Sequence, residues 1–423
     1  MVKRWRSTAL AAVILAACTP GNGSENTTTA VSRTTAAFAV ETTVDETASV
    51  AMPESGRVAA IGFDGSGSAF YAGPDPLPPG EPGTLIYLEA LSDTSAGRVY
   101  RVLYHSRSVL GDDSDVAVSG TIWVPGTPPP EGGYPIVSFG HGNDGSADIC
   151  ANSRPEIPDE MWYGFEMNRF LAEGYVVAYT DYEGLGTPGP FMFAIPESSA
   201  RSILDAARAG RDLLGTAASD RVIVYGHSLG AGAALATGER AGKYAPELDV
   251  RGVVALEGGT LLSAGRWSEA VKTLPSRNFM QAVSSFSAAY PGIRPSDFLT
   301  AEALRDLPLL EKRCDLDTLF DRTLGEAVTM DPNDIPAWAA AIEATNTKTA
   351  PVPTFLIFAE LEGPQNVEAA HELGATLCER SDTVLLETYE ADHLSVLETS
   401  WPDVDAWMTA RFADAEPVGN CTD

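Results

Sequence analysis

Positive charge is what this chain has least of. Only five lysines occur in 423 residues (Lys3, Lys243, Lys272, Lys312 and Lys348), and 28 basic side chains stand against 58 acidic ones, a net charge of −30. A chain so acidic repels nucleic-acid phosphates and anionic membrane surfaces, which argues against nucleic acid as a partner. The acidity itself reads most simply as a solvated, solubilising surface. Cysteine is scarce too. There are five, no two of them form a CxxC pair, and zinc-site spacing is therefore absent. No internal repeat is visible. What is present is an ordinary globular composition, 44% hydrophobic and 20% charged, which excludes disorder as the main state.

The N-terminus carries an address. Lys3, Arg4 and Arg6 precede an apolar run from Ala9 to Ala17, too short to span a bilayer, and then Cys18. Leu15-Ala16-Ala17-Cys18 resembles a bacterial lipobox, in which the cysteine is lipidated and becomes the first mature residue. Residues 1–17 are therefore expected to be a lipoprotein signal peptide. Cys18 is expected to anchor an exported protein to a membrane at the cell surface, with a secreted form as the alternative. Residues 19–56 hold nine threonines and four serines but one aromatic, Phe38, too little apolar surface to fold. Residues 18–56 read as a disordered tether. Four cysteines remain, Cys150, Cys314, Cys378 and Cys421, an even number that in an exported chain suggests two disulfides out of three possible pairings.

From residue 57 onward the pattern is strand and helix in alternation. Residues 98–106 and 115–124 alternate like an antiparallel hairpin. Short apolar strands follow at 135–139, 175–179, 221–225, 252–256, 354–359 and 383–389. Helical spacing occupies 159–173, 198–214, 229–242, 366–380 and 402–413. The sum predicts an α/β fold, a mostly parallel doubly wound sheet led by an antiparallel N-terminal edge. Residues 259–349 interrupt the alternation with a mainly helical pattern, expected to be a cap over the strand C-termini, where such sheets bind ligands. The core is then 57–258 and 350–423.

The chemistry concentrates in Gly226-His227-Ser228-Leu229-Gly230, the only G-x-S-x-G in the chain. A β-rich run leads in and a small-residue helix leads out, the setting of a strand–turn–helix that lifts a serine hydroxyl above the sheet edge. A serine needs a base to take its proton. Of the five histidines, His105 and His141 precede the serine, His227 is expected to point elsewhere, and His371 falls in a helix pattern. His393 stands just after the strand 383–389, where the chain order serine, acid, histidine puts the base. The acid is then Glu362 or Glu360. Glu362 lies further beyond the strand end and is preferred, while Asp392, adjacent to the histidine, is disfavoured. An oxyanion hole takes two backbone N–H groups. Leu229 supplies one, and Asn143 or Asp144, in the glycine-rich loop Gly140 to Gly145, supplies the other. That loop and Gly184 to Gly189 both match GxGxxG, but neither runs directly into a helix, so a dinucleotide site is not expected. No metal or cofactor is required.

The elbow, the Ser–Glu–His order and the cap together resemble the α/β-hydrolase fold. Tyr104-His105-Ser106 with Leu110-Gly111, Ile122-Trp123-Val124-Pro125, Phe139-Gly140-His141-Gly142 with Cys150, Thr180 to Gly186, and Tyr290-Pro291 look like the secretory lipase family over residues 95–415. The chain departs from that family in having Asn143 where a threonine is usual and Glu362 where an aspartate is usual. The resemblance implies hydrolysis of acylglycerols or other carboxylic esters outside the cell, with a helical cap shaping an acyl tunnel. It also implies that Cys150 pairs with Cys314, and Cys378 with Cys421. A serine peptidase or amidase on the same fold is the first rival reading. A non-catalytic ligand-binding lipoprotein is the second.

Overall fold

The computed structural model describes residues 61–62, 67–111, 113–155, 158–258, 272, 275–316, 320–381 and 383–421. The expected signal peptide 1–17, Cys18 and the tether 18–56 lie outside the described residues, as does the start of the expected cap, 259–271.

Among the described residues, ten strands form one mixed sheet. They are β1 (Ile61–Gly62), β2 (Leu85–Ala90), β3 (Gly97–Arg107), β4 (Asp115–Pro125), β5 (Tyr134–Gly140), β6 (Val176–Thr180), β7 (Ala218–His227), β8 (Asp249–Leu256), β9 (Thr354–Ala359) and β10 (Val384–Tyr389). Their order is β1-β2-β3-β4-β6-β5-β7-β8-β9-β10. The pairs β2–β3, β3–β4 and β4–β6 are antiparallel, and every pair from β6 across to β10 is parallel. The expected doubly wound sheet with an antiparallel edge is what the chain forms.

Burial on both faces explains the apolar strand sequences. In β7, Val222 and Val224 join one packed cluster, while Ile223 and Tyr225 join the other. The helices α1 (Ser68–Ala72), α2 (Gly164–Ala172), α3 (Pro196–Leu214) and α4 (Leu229–Tyr244) are followed by further helices at Pro364–Cys378 and Trp401–Phe412. The cluster holding Val222 and Val224 contains Ile203, Leu204 and Ala207 of α3 and Ala231 and Ala234 of α4; the other contains Phe170 of α2 and Met408.

Two elements differ from expectation. The helix expected over 159–173 begins only at Gly164, because Pro158–Glu160 forms a separate 3₁₀ turn. Its carbonyl sits so close that a methyl on Gly164 would lie 2.6 Å from the Pro158 oxygen. The sequence reading also passed over β1 and β2; β2 is a six-residue strand between β1 and β3 with a register irregularity between Leu85 and Tyr87. Between β8 and β9, the described residues carry helices at Arg277–Ala289, Ala301–Asp306, Leu324–Ala327 and Pro336–Thr345. Phe279, Phe286, Phe298 and Trp338 of this segment pack in the same cluster as Val222. Phe298 and Trp338 stand 5.2 Å apart between ring centroids.

Candidate active site

Ser228 sits at the sharp turn between β7 and α4. Its backbone φ is +58° and ψ −117°, a strained region for a residue with a side chain. The turn closes only because its neighbours are glycines. A methyl on Gly226 would lie 1.9 Å from the Gly230 oxygen, and one on Gly230 would lie 1.9 Å from the Gly140 oxygen. The Ser228 N–H donates to the Leu256 carbonyl of β8 at 2.8 Å, which fixes the turn to the next strand.

The chain brings His393 to the same point. Ser228 Oγ lies 3.0 Å from His393 Nε2, the distance at which the hydroxyl donates its proton to the ring. Two carboxylates lie behind the ring. Glu362 Oε1 accepts the His393 backbone N–H at 3.2 Å, and its Oε2 is 3.9 Å from Nδ1. Glu257, directly after β8, has its Oε2 at 3.5 Å from the same Nδ1. Sequence reasoning did not weigh Glu257. The available signal was its chain position, an acid between serine and histidine directly after a strand. Glu360 turns away and accepts from Thr388 Oγ1 at 2.7 Å. Asp392 accepts from the Leu394 and Ser395 N–H groups at the start of a short helix. Hydrogen bonds from Ser395 and Leu394 hold its carboxyl below the usual aspartate range.

His227 is drawn into the site rather than away from it. It is buried, its Nδ1 lies 2.8 Å from the Tyr163 hydroxyl, and its Nε2 lies 2.8 Å from the His393 carbonyl oxygen. Burial first, and the neighbouring His393 second, push its pKa down from 6.5 to about 3. Tyr163 is also fully enclosed, and desolvation raises its phenol well above 10.0.

The glycine-rich loop lies alongside. A methyl on Gly142 would come 3.5 Å from Ser228 Cβ. Asn143 reaches across to the helix Arg277–Ala289, donating from Nδ2 to Asn278 Oδ1 at 2.8 Å and Gln281 Oε1 at 2.6 Å. Asp144 lies 3.2 Å from His141 Nδ1. Leu229 opens α4, where the first N–H groups of a helix have no carbonyl one turn back to take them. His105 pairs with Asp115 at 3.0 Å and His371 is exposed on its helix, so neither enters the site.

Among the described residues, two disulfides form, Cys150–Cys314 and Cys378–Cys421. The first joins the segment after the glycine-rich loop to the region between β8 and β9. The second fastens the C-terminal tail to the helix Pro364–Cys378. Among the described residues, Glu257, Glu362 and His393 are the group whose ligand atoms converge, within 4.8 Å of one another. Three atoms, one of them on a ring already turned toward a serine, make an open cluster rather than a closed four-ligand shell.

Comparison with known proteins follows the same lines. Residues 165–420 match the family model for secretory lipases. Lipase A of Moesziomyces aphidis is 31% identical over 197 residues, covering 44% of this chain and 40% of that protein's length. The chain thus spans well under half of that curated relative. Candida antarctica lipase A in its closed state has a TM-score of 0.68 at 20% identity, over 84% of this chain and 87% of that one. The rice cell wall degrading esterase LipA from Xanthomonas oryzae has a TM-score of 0.62 at 18% identity, over 80% and 100%. At such identities the likeness shows the fold, which is that of the α/β-hydrolases.

Proposed function

This chain belongs to the secretory lipase family, and we propose that it is an exported serine hydrolase of carboxylic esters, acylglycerols among them. The observation that carries the reading is the 3.0 Å approach of His393 Nε2 to Ser228 Oγ on a strained turn. A proton acceptor at that distance turns a poor nucleophile into a competent one. Ser228 attacks the ester carbonyl as its proton passes to His393. The backbone N–H of Leu229, with that of Asn143 or Asp144, stabilises the oxyanion. His393 then protonates the departing alcohol, and water releases the acid by the reverse sequence. The carboxylates behind the ring hold it in the required tautomer, Glu362 from the position its place in the chain assigns. No metal or cofactor enters a step.

Export is supported by the family and by two disulfides, which persist in oxidising compartments. We assign the signal to 1–17, the lipid anchor to Cys18 and the tether to 18–56. The core is 57–258 with 350–423, and 259–349 is a cap that shapes the acyl site. The aromatic cluster of Phe279, Phe286, Phe298 and Trp338 supports an apolar role for that segment.

The test is hydrolysis of nitrophenyl esters from acetate to palmitate by the protein and by its Ser228→Ala variant. Turnover that vanishes in the variant is the expected result, and the chain-length optimum distinguishes lipase from esterase. A folded protein without turnover at any length overturns the ester reading in favour of amide hydrolysis or ligand binding.

A further inference from the structure

Glu257 is the carboxylate behind the His393 ring whose separate work the catalytic reading leaves undefined. It directly follows β8, the strand that takes the Ser228 N–H, and its own N–H donates to the Ile357 carbonyl of β9. Its φ is +55°, a conformation uncommon for a residue with a long side chain. Strain of this kind persists where the surroundings over-determine it and clusters at active sites. The side chain is 2% exposed, against 17% for Glu362. A carboxylate so enclosed is costly unless it is hydrogen-bonded. Oε1 accepts from the Ala359 N–H and from Asn366 Nδ2 at 3.2 Å, and Oε2 accepts from Asn366 Nδ2 at 3.1 Å. The remaining side of Oε2 faces His393 Nδ1 at 3.5 Å. That nitrogen is itself enclosed and has no hydrogen-bond partner among the described residues.

We propose that Glu257 is the carboxylate that orients the His393 ring, while Glu362 holds the backbone of the same residue. The proposal rests on the Ser228–His393 reading and divides the acid's work between two side chains. Glu362 already spends Oε1 on the His393 N–H at 3.2 Å, and its Oε2 is the more distant from Nδ1, at 3.9 Å. Glu257 is nearer, more enclosed and fixed by two donors on its far side. When Ser228 Oγ bonds to the ester carbon, its proton moves to Nε2 and the Nδ1 proton stays on the ring. Glu257 remains ionised and faces the imidazolium in a dry setting, where a fixed charge counts for more than in water. Both glutamates lie between Ser228 and His393 in the chain, so the order serine, acid, histidine holds for either.

The test compares Glu257→Gln with Glu362→Gln in the whole protein, on a soluble short-chain ester. In Glu257→Gln the amide oxygen keeps the Ala359 N–H and its NH₂ turns toward Nδ1. That favours the tautomer in which Nε2 carries the proton and accepts none. The expected result is a fall in kcat of about a thousandfold with KM nearly unchanged, and a fall of roughly tenfold in Glu362→Gln. The low-field imidazole N–H proton resonance disappears in the first variant and survives in the second. A Glu257→Gln enzyme close to wild type, or a larger loss in Glu362→Gln, overturns the proposal and leaves the Ser228–His393 reading standing. That reading fails by a separate result, activity retained in Ser228→Ala. Should Glu257→Gln not fold, the unmutated protein phosphonylated at Ser228 serves instead. In its crystal structure Nδ1 closes on Glu257 to about 2.8 Å; closure on Glu362, or on neither, overturns the proposal.

Discussion

His227 Nε2 lies 2.8 Å from the backbone carbonyl oxygen of His393, so the residue before the proposed nucleophile holds the loop that carries the proposed base. A carbonyl only accepts, so Nε2 carries the proton and Nδ1 is the acceptor. The Tyr163 hydroxyl donates to that Nδ1 at 2.8 Å, and its oxygen accepts the Gly142 N–H at 3.1 Å. One directed chain of hydrogen bonds thus runs from the glycine-rich loop, through Tyr163 just ahead of α2, to the histidine loop.

Replacing Tyr163 by Phe breaks that chain at its middle and leaves a buried N–H and a buried ring nitrogen unpaired. Such groups cost about 1–3 kcal/mol each. Denaturant unfolding is expected to show a loss of about 2–6 kcal/mol for the two groups together. Ester kinetics are expected to show kcat roughly tenfold lower with KM nearly unchanged. A variant as stable and as active as the parent removes the chain from any role in positioning.

Acid sensitivity follows from His227. Its folded-state pKa, about 3, lies below its ordinary 6.5, so between those values the unfolded chain binds a proton that the folded chain refuses. Stability from this group is complete above 6.5 and falls as pH drops toward 3, by about 1.4 kcal/mol per pH unit at most. Urea unfolding at stepped pH is expected to give that slope in the wild type and a shallower one in His227→Gln. Equal slopes contradict the assignment.

Gly142 stands where backbone meets nucleophile. A methyl there would press 2.7 Å from the Tyr163 hydroxyl and 3.5 Å from Ser228 Cβ. Gly142→Ala is expected to fold, to react at least tenfold more slowly with a fluorophosphonate probe, and to lose kcat in proportion. Unchanged labelling speaks against the loop flanking the attack path.

The Asn143 side chain ties the glycine-rich loop to the helix Arg277–Ala289. Oδ1 accepts the Gly145 N–H at 3.2 Å and a Gln281 Nε2–H at 3.0 Å, while Nδ2 donates to Asn278 and Gln281. A threonine reaches fewer of these partners. Asn143→Thr is expected to lose about 2 kcal/mol of stability, read by thermal unfolding, because several part-buried polar groups lose partners together.

The elements around the site were legible because local pattern and tertiary role coincide there. The run Arg221 to Tyr225, the glycines flanking Ser228 and the small residues after it place strand, turn and helix without reference to the rest of the chain. His393 was found by its position after β10. The orientation of Glu257 was hidden, since an acid after a strand reads as a surface charge, and neither its burial nor its positive φ leaves a trace in periodicity. The contact between His227 and His393 joins residues 166 apart, which no local pattern encodes. The start of α2 was misjudged for a similar reason. Pro158–Glu160 folds as its own turn, and Tyr163 precedes the helix with its hydroxyl committed to Gly142 and His227.

The Cys150–Cys314 bridge closes a ring of chain that contains Ser228 and everything from β6 to β8, with 164 positions separating its two cysteines. A protease that cuts the backbone once anywhere inside that ring opens the loop without releasing a fragment. The severed ends stay at high effective concentration, and every strand of the sheet remains in the same molecule. A nick is then a scar rather than an end, visible on a gel only after the thiol bridge has been reduced.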